Sequence, residues 1–326
     1  MVGHYMRIVF MGSADVSCVM LEALLSAPGI QVVGVVTQPD RPAGRHRQLT
    51  PCPGKALALR AQLPVITPEK VNAPESLAQL AAWAPEVIVV VAYGQFLGKR
   101  LLALPPHGCI NIHLSLLPRH RGAAPVQWAI AAGDAVSGVT AIQMDAGMDS
   151  GDILGIVAEP ILPEDTAGSL YDRLSPFGAA LLLRVLAELA AGRLHPVPQD
   201  ATQVTLAPKI KKEDGQIDWT LPAAQLALRI RAFHPWPACF TTLPARLCVG
   251  VQGNRLKVLR AAVCEAPSAP PAMPGALLSC HAEGPVIQSG AGALQLLSVQ
   301  LEGGKPLDGR AFLCGHPLWT GDQFGQ

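Results

Sequence analysis

Short β-branched apolar runs alternate with stretches of helical spacing through the first half of the chain. The runs "RIVFM" from Arg7, "QVVGVVT" from Gln31, "EVIVVVA" from Glu86 and "CINIH" from Cys109 each read as strands with helix-like segments between them. That rhythm predicts an α/β fold with a parallel, doubly wound sheet. Val87 to Ala92 is apolar without a break, as a strand covered by helices on both faces requires, and is assigned a central position.

A longer helical pattern runs from about Thr166 to Ala191 and stops at Gly192. The stretch after it, "RLHPVPQDATQVTLAPKIKKEDG", brings prolines and charge with little periodicity. Residues 193–212 are therefore read as a linker between a first domain, 1–192, and a second, 213–326. In the second domain "RLCVGVQGNRLKVLRAAV", "GALLSC", "PVIQSG" and "LQLLSVQ" are short strand-like pieces ending at Gly, Asn or Pro, which predicts a small β-barrel or sandwich. "EAPSAPPAMPG" from Glu265 reads as an exposed loop.

Half of the 326 residues are apolar, enough for two cores. The 25 basic and 24 acidic side chains leave a net charge of +1, so a nucleic-acid partner would have to meet a local basic patch. Eight cysteines without a C-x-x-C pair or a zinc-spaced cluster argue against a disulfide framework and a structural metal, and fit a reducing cytoplasm. The N-terminal "MVGHYMRIVFMGS" lacks the parts of a signal peptide, and Met1 and Met6 are both candidate starts. "AALLLRVLAELAAG" is interrupted by Arg184 and Glu188 and is shorter than the roughly 20 residues of a bilayer span, so no membrane segment is expected.

Candidate chemistry gathers at the end of the Cys109 strand. Asn111 and His113 are two residues apart, so their side chains leave one face near the carboxyl edge, where ligands of open α/β sheets bind. An Asn amide there can donate to a developing oxyanion, and a His can donate or move a proton near neutral pH. Taken alone, two such residues are better explained by ordinary roles, Asn111 bonding a neighbouring loop and His113 capping the strand. "QMDAGMDSGDI" then sets Asp145, Asp149 and Asp152 in a glycine-containing loop, where one carboxylate could orient His113 and where Asp also simply favours turns. "MGSADVS" after the first strand has neither G-x-G-x-x-G nor a P-loop lysine, which leaves a nucleotide site unsupported.

Two basic clusters stand out. Arg41, Arg45, Arg47 and Lys55 face a single acid, Asp40, in one loop, and Lys209, Lys211 and Lys212 lie at the linker beside Glu213 and Asp214. Each can contact phosphate or be a solvated surface. Aromatic residues make up only 5% of the chain and form no base-stacking platform on any strand, so an RNA partner would be read through its backbone and shape.

The segments "RIVFMGS", "GVVTQPDRPAGR", "VVVAYGQFL", "INIHLSLLPRHRGAAPVQWAI", "SGVTAIQMDAGMDSGDI", "LYDRL", "IDW" and "IRAFHPWPA" resemble the folate-dependent formyltransferases over nearly the whole chain. The resemblance implies a Rossmann-like catalytic domain and an OB-like C-terminal barrel. It also implies that Asn111, His113 and Asp149 form a catalytic trio and that Ser115, Leu116, Leu117 and Pro118 line the tetrahydrofolate site. Arg41 and Arg45 are expected to reach toward the acceptor arm of initiator tRNA, with Lys209, Lys211 and Lys212 supporting the RNA. The implied reaction carries a formyl group from 10-formyltetrahydrofolate to the α-amine of initiator methionyl-tRNA, in a cytoplasmic monomer, without a metal. Leu114, where relatives carry a small residue or Pro, and His46 with Arg47 depart from the family pattern. The rival readings are formylation of a small amine such as glycinamide ribonucleotide or an amino sugar nucleotide, hydrolysis of formyltetrahydrofolate, and a non-catalytic RNA-binding protein. "RGAAPVQWAI", "TQPDRPAGR" and the second domain favour tRNA over the small amines, and the intact trio argues against loss of catalysis.

Overall fold

A computed structural model describes residues 5–43, 48–247, 254–265 and 272–325. The chain divides into two compact units. The first consists of Met1–Pro125, Val136–Pro160 and Tyr171–Pro208, and the second of Val126–Ala135, Ile161–Leu170 and Lys209–Gln326.

From the N-terminus the elements are β1 (Met6–Gly12), α1 (Asp15–Ser26), β2 (Ile30–Val36), the short β3 (Arg41–Ala43) and β4 (Gln48–Thr50), α2 (Pro53–Arg60), β5 (Val65–Ile66), α3 (Pro74–Ala82) and β6 (Val87–Val91). Then come α4 (Lys99–Leu102), β7 (Cys109–His113), α5 (Pro125–Ala131), β8 (Val136–Gln143), β9 (Ile153–Pro160) and α6 (Ala167–Ala190). The main sheet of the first unit has the order β5-β2-β1-β6-β7-β8-β9. From β1 the chain winds outward through β2 to β5 and then returns to lay β6 on the other side of β1, so the winding reverses between β1 and β6. All five residues of β6 are buried, which accounts for its uninterrupted apolar sequence.

The sheet is not parallel throughout, as the strand rhythm predicted. The pairs from β5 to β7 are parallel, but β8 runs antiparallel to β7 and β9 antiparallel to β8. Loop 144–152 between β8 and β9 is too short for the dozen or so residues that a parallel crossover needs, so the chain can only turn back. β9 has an alternating, half-exposed pattern and was not legible as a strand. The basic stretch after β2, expected as a loop, is flanked by the β3–β4 pair, which matches Arg41 with Thr50.

α6 ends where the sequence stops it. Gly192 takes φ +65°, and Arg193 N–H closes the terminus on the Glu188 carbonyl at 2.9 Å. Most of residues 193–212, read from the sequence as a linker, are bonded into the first unit. Val197 exchanges backbone hydrogen bonds of 2.8 and 2.9 Å with Ile153, and Arg121 bonds Thr205 and Ala207 at 2.9 and 2.7 Å. Such isolated pairings satisfy the backbone without any side-chain period, so polarity alone made the segment look unstructured.

The second unit contains α7 (Ala223–Ala232), β10 (Cys239–Thr242), β11 (Arg255–Cys264), β12 (Leu277–His281), β13 (Gly284–Gln288), β14 (Ala293–Leu301), β15 (Pro306–Asp308) and α8 (Gly309–Gly315). Among the described residues its six strands form one antiparallel sheet of order β10-β11-β14-β13-β12, with β15 also on β14. Two earlier stretches belong to this unit: Trp128 meets the buried Phe233 edge-on at 6.1 Å, and Arg231 Nη1 donates to the carbonyls of Leu162 and Asp165 at 3.1 Å each. Among the described residues no helix is long and apolar enough to cross a membrane.

Ile88 is fully buried at the centre of β6, in a cluster with Val9, Val36 and Leu101. Ile88→Ala is expected to cost about 2–5 kcal/mol of the first unit's stability, read as a lower urea midpoint with unchanged slope.

Candidate active site

β7 is buried at all five positions, although two of them are polar. Asn111 is 9% exposed and His113 6%. Register pairs Asn111 with Ile142 and His113 with Thr140 on β8, so the two side chains leave one face, one pleat apart. Buried polar groups of this kind need partners, and a carboxylate supplies them. Asp149 Oδ1 accepts from Asn111 Nδ2 at 3.2 Å, and Oδ2 lies 3.7 Å from His113 Nδ1.

The other ring nitrogen of His113, Nε2, lies 2.9 Å from the His120 carbonyl, to which it can only donate. A neutral ring in that tautomer turns a lone pair toward Asp149, whereas the imidazolium turns a second N–H toward it. At 3.7 Å the ring nitrogen and the carboxylate are neighbours without a hydrogen bond between them.

Asp149 lies on loop 144–152 with φ +49°, a left-handed backbone that Asp tolerates better than most residues. Both ends of the residue are held. Its Oδ2 accepts the Gly122 N–H at 2.8 Å, and its carbonyl accepts from Gln199 Nε2 at 2.8 Å. Of the three candidate carboxylates only Asp149 reaches Asn111 and His113. Asp145 is tied into its own loop by the Ser150 hydroxyl at 2.8 and 2.9 Å and by Gly147 N–H at 3.0 Å, and Asp152 is exposed.

The segment after β7 is fixed by its neighbours. Ser115 is fully buried, its hydroxyl donating to the Arg119 carbonyl at 2.8 Å. Thr140 Oγ1 donates to the Ser115 carbonyl at 2.7 Å and accepts from Leu117 N–H at 3.1 Å. Leu114 and Leu117 are buried, while Leu116 and Pro118 are half-buried. Burial pushes the thiol of Cys109, at the start of β7, up to about 12, which keeps it protonated and inert at neutral pH.

Sequence reasoning overlooked the residues that brace the trio. The His120 carbonyl, Gly122, Gln199 and Thr205, whose Oγ1 accepts His120 N–H at 2.8 Å, belong to no periodic pattern. The one available signal was the density of Gly, Arg and His in "PRHRGAAP".

The basic clusters divide in the structure. Arg41 is exposed and pairs with Glu69 at 3.0 Å, and the Lys55 ammonium is committed to Asp40 at 2.8 Å. Arg45, His46 and Arg47 lie outside the described residues. Lys209, Lys211 and Lys212 are exposed in the second unit. Among the described residues no group of His, Cys, Asp or Glu is placed to hold a metal ion.

Comparison with known proteins adds kinship. A family model described as formyl transferase matches residues 6–186, and one described as formyl transferase, C-terminal domain, matches residues 209–317. A methionyl-tRNA formyltransferase of Geobacter sulfurreducens is 44% identical over 98% of this chain and 97% of its own. One of Stutzerimonas stutzeri is 47% identical over 93% and 92%. Among solved structures, an N-formyltransferase from Helicobacter canadensis in complex with folinic acid and dTDP-3-aminofucose shares the fold with a TM-score of 0.61 at 15% identity, over 90% of this chain and 99% of its own. HypX from Aquifex aeolicus in complex with tetrahydrofolic acid has a TM-score of 0.58 at 18% identity, over 95% of this chain and 47% of the larger protein.

Gly122 takes φ +130°, and a Cβ there would sit 2.4 Å from the Ala207 carbonyl oxygen, whereas a Cβ on Gly192 would meet nothing within 4 Å. Gly192→Ala is expected to cost about 1–2 kcal/mol, for the left-handed backbone alone. Gly122→Ala is expected to cost more, because the loop must also move, and paired thermal melts of the two variants check the order.

Proposed function

The chain belongs to the formyl transferase family, and from that premise we propose that it transfers a formyl group from 10-formyltetrahydrofolate to the α-amino group of initiator methionyl-tRNA. The product, N-formylmethionyl-tRNA, serves translation initiation. One observation carries this reading over formylation of a small amine: close relatives named for methionyl-tRNA match the chain along both units, while the sugar-nucleotide enzyme shares only the fold.

In the proposed reaction the free amine attacks the formyl carbon, a C–N bond forms, and the carbonyl oxygen becomes an oxyanion. The bond from that carbon to the folate nitrogen then breaks, and the proton lost by the amine ends on the folate nitrogen. Asn111 gives one amide hydrogen to Asp149 and has a second to donate to the oxyanion. That donation is stronger in the transition state than in the ground state and so accelerates the step. His113 and Asp149 take the amine proton between them and pass it on. These donors supply the electrostatic role, so the reading includes no metal. Holding two large substrates together supplies much of the remaining rate.

Ser115, Leu116, Leu117 and Pro118 are assigned to the wall of the folate site, where half-buried Leu116 and Pro118 offer apolar surface. Arg41 and Arg45 are assigned to phosphates of the acceptor arm. The Arg41–Glu69 pair is solvent-exposed and therefore weak, so phosphate can replace the carboxylate at little cost. The second unit, taken as an OB-like barrel, presents Lys209, Lys211 and Lys212 to the RNA. The enzyme is placed in the cytoplasm as a monomer, with its chemistry in the first unit.

The deciding assay offers purified protein 10-formyltetrahydrofolate with methionyl-tRNA, glycinamide ribonucleotide or water as acceptor. Transfer to methionyl-tRNA alone is expected; transfer only to the small amine, or formate release, overturns the reading, and inactivity with all three returns it to an RNA-binding protein. His113→Ala and Asp149→Ala should each lower kcat at least about 100-fold with tRNA affinity nearly unchanged, and Asp149→Ala, which strips buried Asn111 and the Gly122 N–H of their acceptor, should also lower the melting temperature. Arg41→Ala should weaken use of methionyl-tRNA but not of the folate, and reduce the salt slope of tRNA binding by about one.

A further inference from the structure

Gln199 lies outside every motif, yet its side-chain amide is fully used. Nε2 donates to the carbonyls of Asp149 and Gly151 at 2.8 Å each, and Oε1 accepts from Arg121 Nε at 3.1 Å and Nη2 at 2.7 Å. Only one orientation of the amide satisfies these partners. The flipped amide would set N–H groups against the guanidinium and an oxygen against two carbonyls.

The four bonds join two loops that also meet through the Gly122 N–H on Asp149 Oδ2. Arg121 lies on the loop that follows β7, between the His120 carbonyl that takes the His113 ring nitrogen and the Gly122 N–H that holds Asp149 Oδ2. Asp149 and Gly151 lie on loop 144–152. Asp149 is thus gripped at its carboxylate by one loop and at its carbonyl by the residue that locks the two loops together. Its left-handed backbone has no helix or strand to hold it, so its position depends on these contacts.

We propose that Gln199, anchored by Arg121, is a positioning residue for formyl transfer: it sets the register of the two loops and so keeps the Asp149 carboxylate facing Asn111 and His113. This inference rests on the function proposed above. Gln199 touches neither reacting group and acts through Asp149.

Two variants test it in the full-length protein. Gln199→Leu removes all four bonds. Gln199→Glu keeps an acceptor for Arg121 but loses both donations and turns a charged oxygen toward the two carbonyls. Both are expected to lower kcat about 10- to 100-fold, as a displacement of roughly 1 Å in a catalytic group does. KM for methionyl-tRNA and for 10-formyltetrahydrofolate should stay within about threefold of wild type, because uniform binding is untouched. Hydrogen exchange over residues 144–152 should rise in both variants, and the melting temperature of Gln199→Glu should stay close to that of wild type. A wild-type kcat in folded Gln199→Glu, a loss confined to KM, or unchanged exchange over 144–152 overturns the proposal. If the wild-type chain fails to formylate methionyl-tRNA while exchange still rises in the variants, the functional reading falls and the register role stands.

Discussion

Two polar side chains buried at the end of one strand set the problem that the first unit solves. Asn111 and His113 cannot be left without partners at their depth, because an unsatisfied buried donor costs about 1–3 kcal/mol. The His120 carbonyl takes the His113 ring and the Asp149 carboxylate takes Asn111 while lying 3.7 Å from the same ring, and to be there Asp149 must come back over the carboxyl edge of β7. The antiparallel return of β8 and the tight loop into β9 deliver it. Gly122, which has no Cβ to strike the Ala207 carbonyl, brings its N–H to Asp149 Oδ2. The chemistry and the stability of this edge share one set of contacts.

The sheet and the site draw on different parts of the chain's physics. β1, β2, β6 and β7 are held by burial, which is non-directional and tolerant of small changes. The site is held by hydrogen bonds, which fix angle as well as distance and lose most of their strength when either drifts. A rigid parallel core beneath a hydrogen-bonded edge allows donors to be aimed within fractions of an ångström. The aim is then transmitted through the loops rather than through packing.

What the sequence made legible follows this division. The central strand β6 was readable because burial on both faces writes an unbroken apolar run, and the end of α6 because Gly192 takes a backbone few other residues can. The pairing of Asn111 with His113 was readable from the two-residue period of a strand. Choosing Asp149 over Asp145 and Asp152 needed the family resemblance, since spacing gave all three equal standing. β9 hid behind alternating exposed positions, and the segment from Val197 to Ala207 hid because backbone bonds to β9 and Arg121 leave no mark on side-chain pattern. Gln199 is invisible for the same reason: its partners are two main-chain carbonyls and one distant arginine.

The second unit is discontinuous in the chain, with residues 126–135 and 161–170 assigned to it long before Lys209. During synthesis Trp128 leaves the ribosome well ahead of Phe233, the ring its edge meets, and Leu162 and Asp165 precede the Arg231 that caps their carbonyls. Domains generally fold in order as they emerge. Here the earlier segments must wait, part of their apolar surface uncovered, until the late helix arrives. A gene cut at residue 209 therefore does not separate two self-sufficient modules, and the order of synthesis leaves the early segments of the second unit without the partners that arrive last.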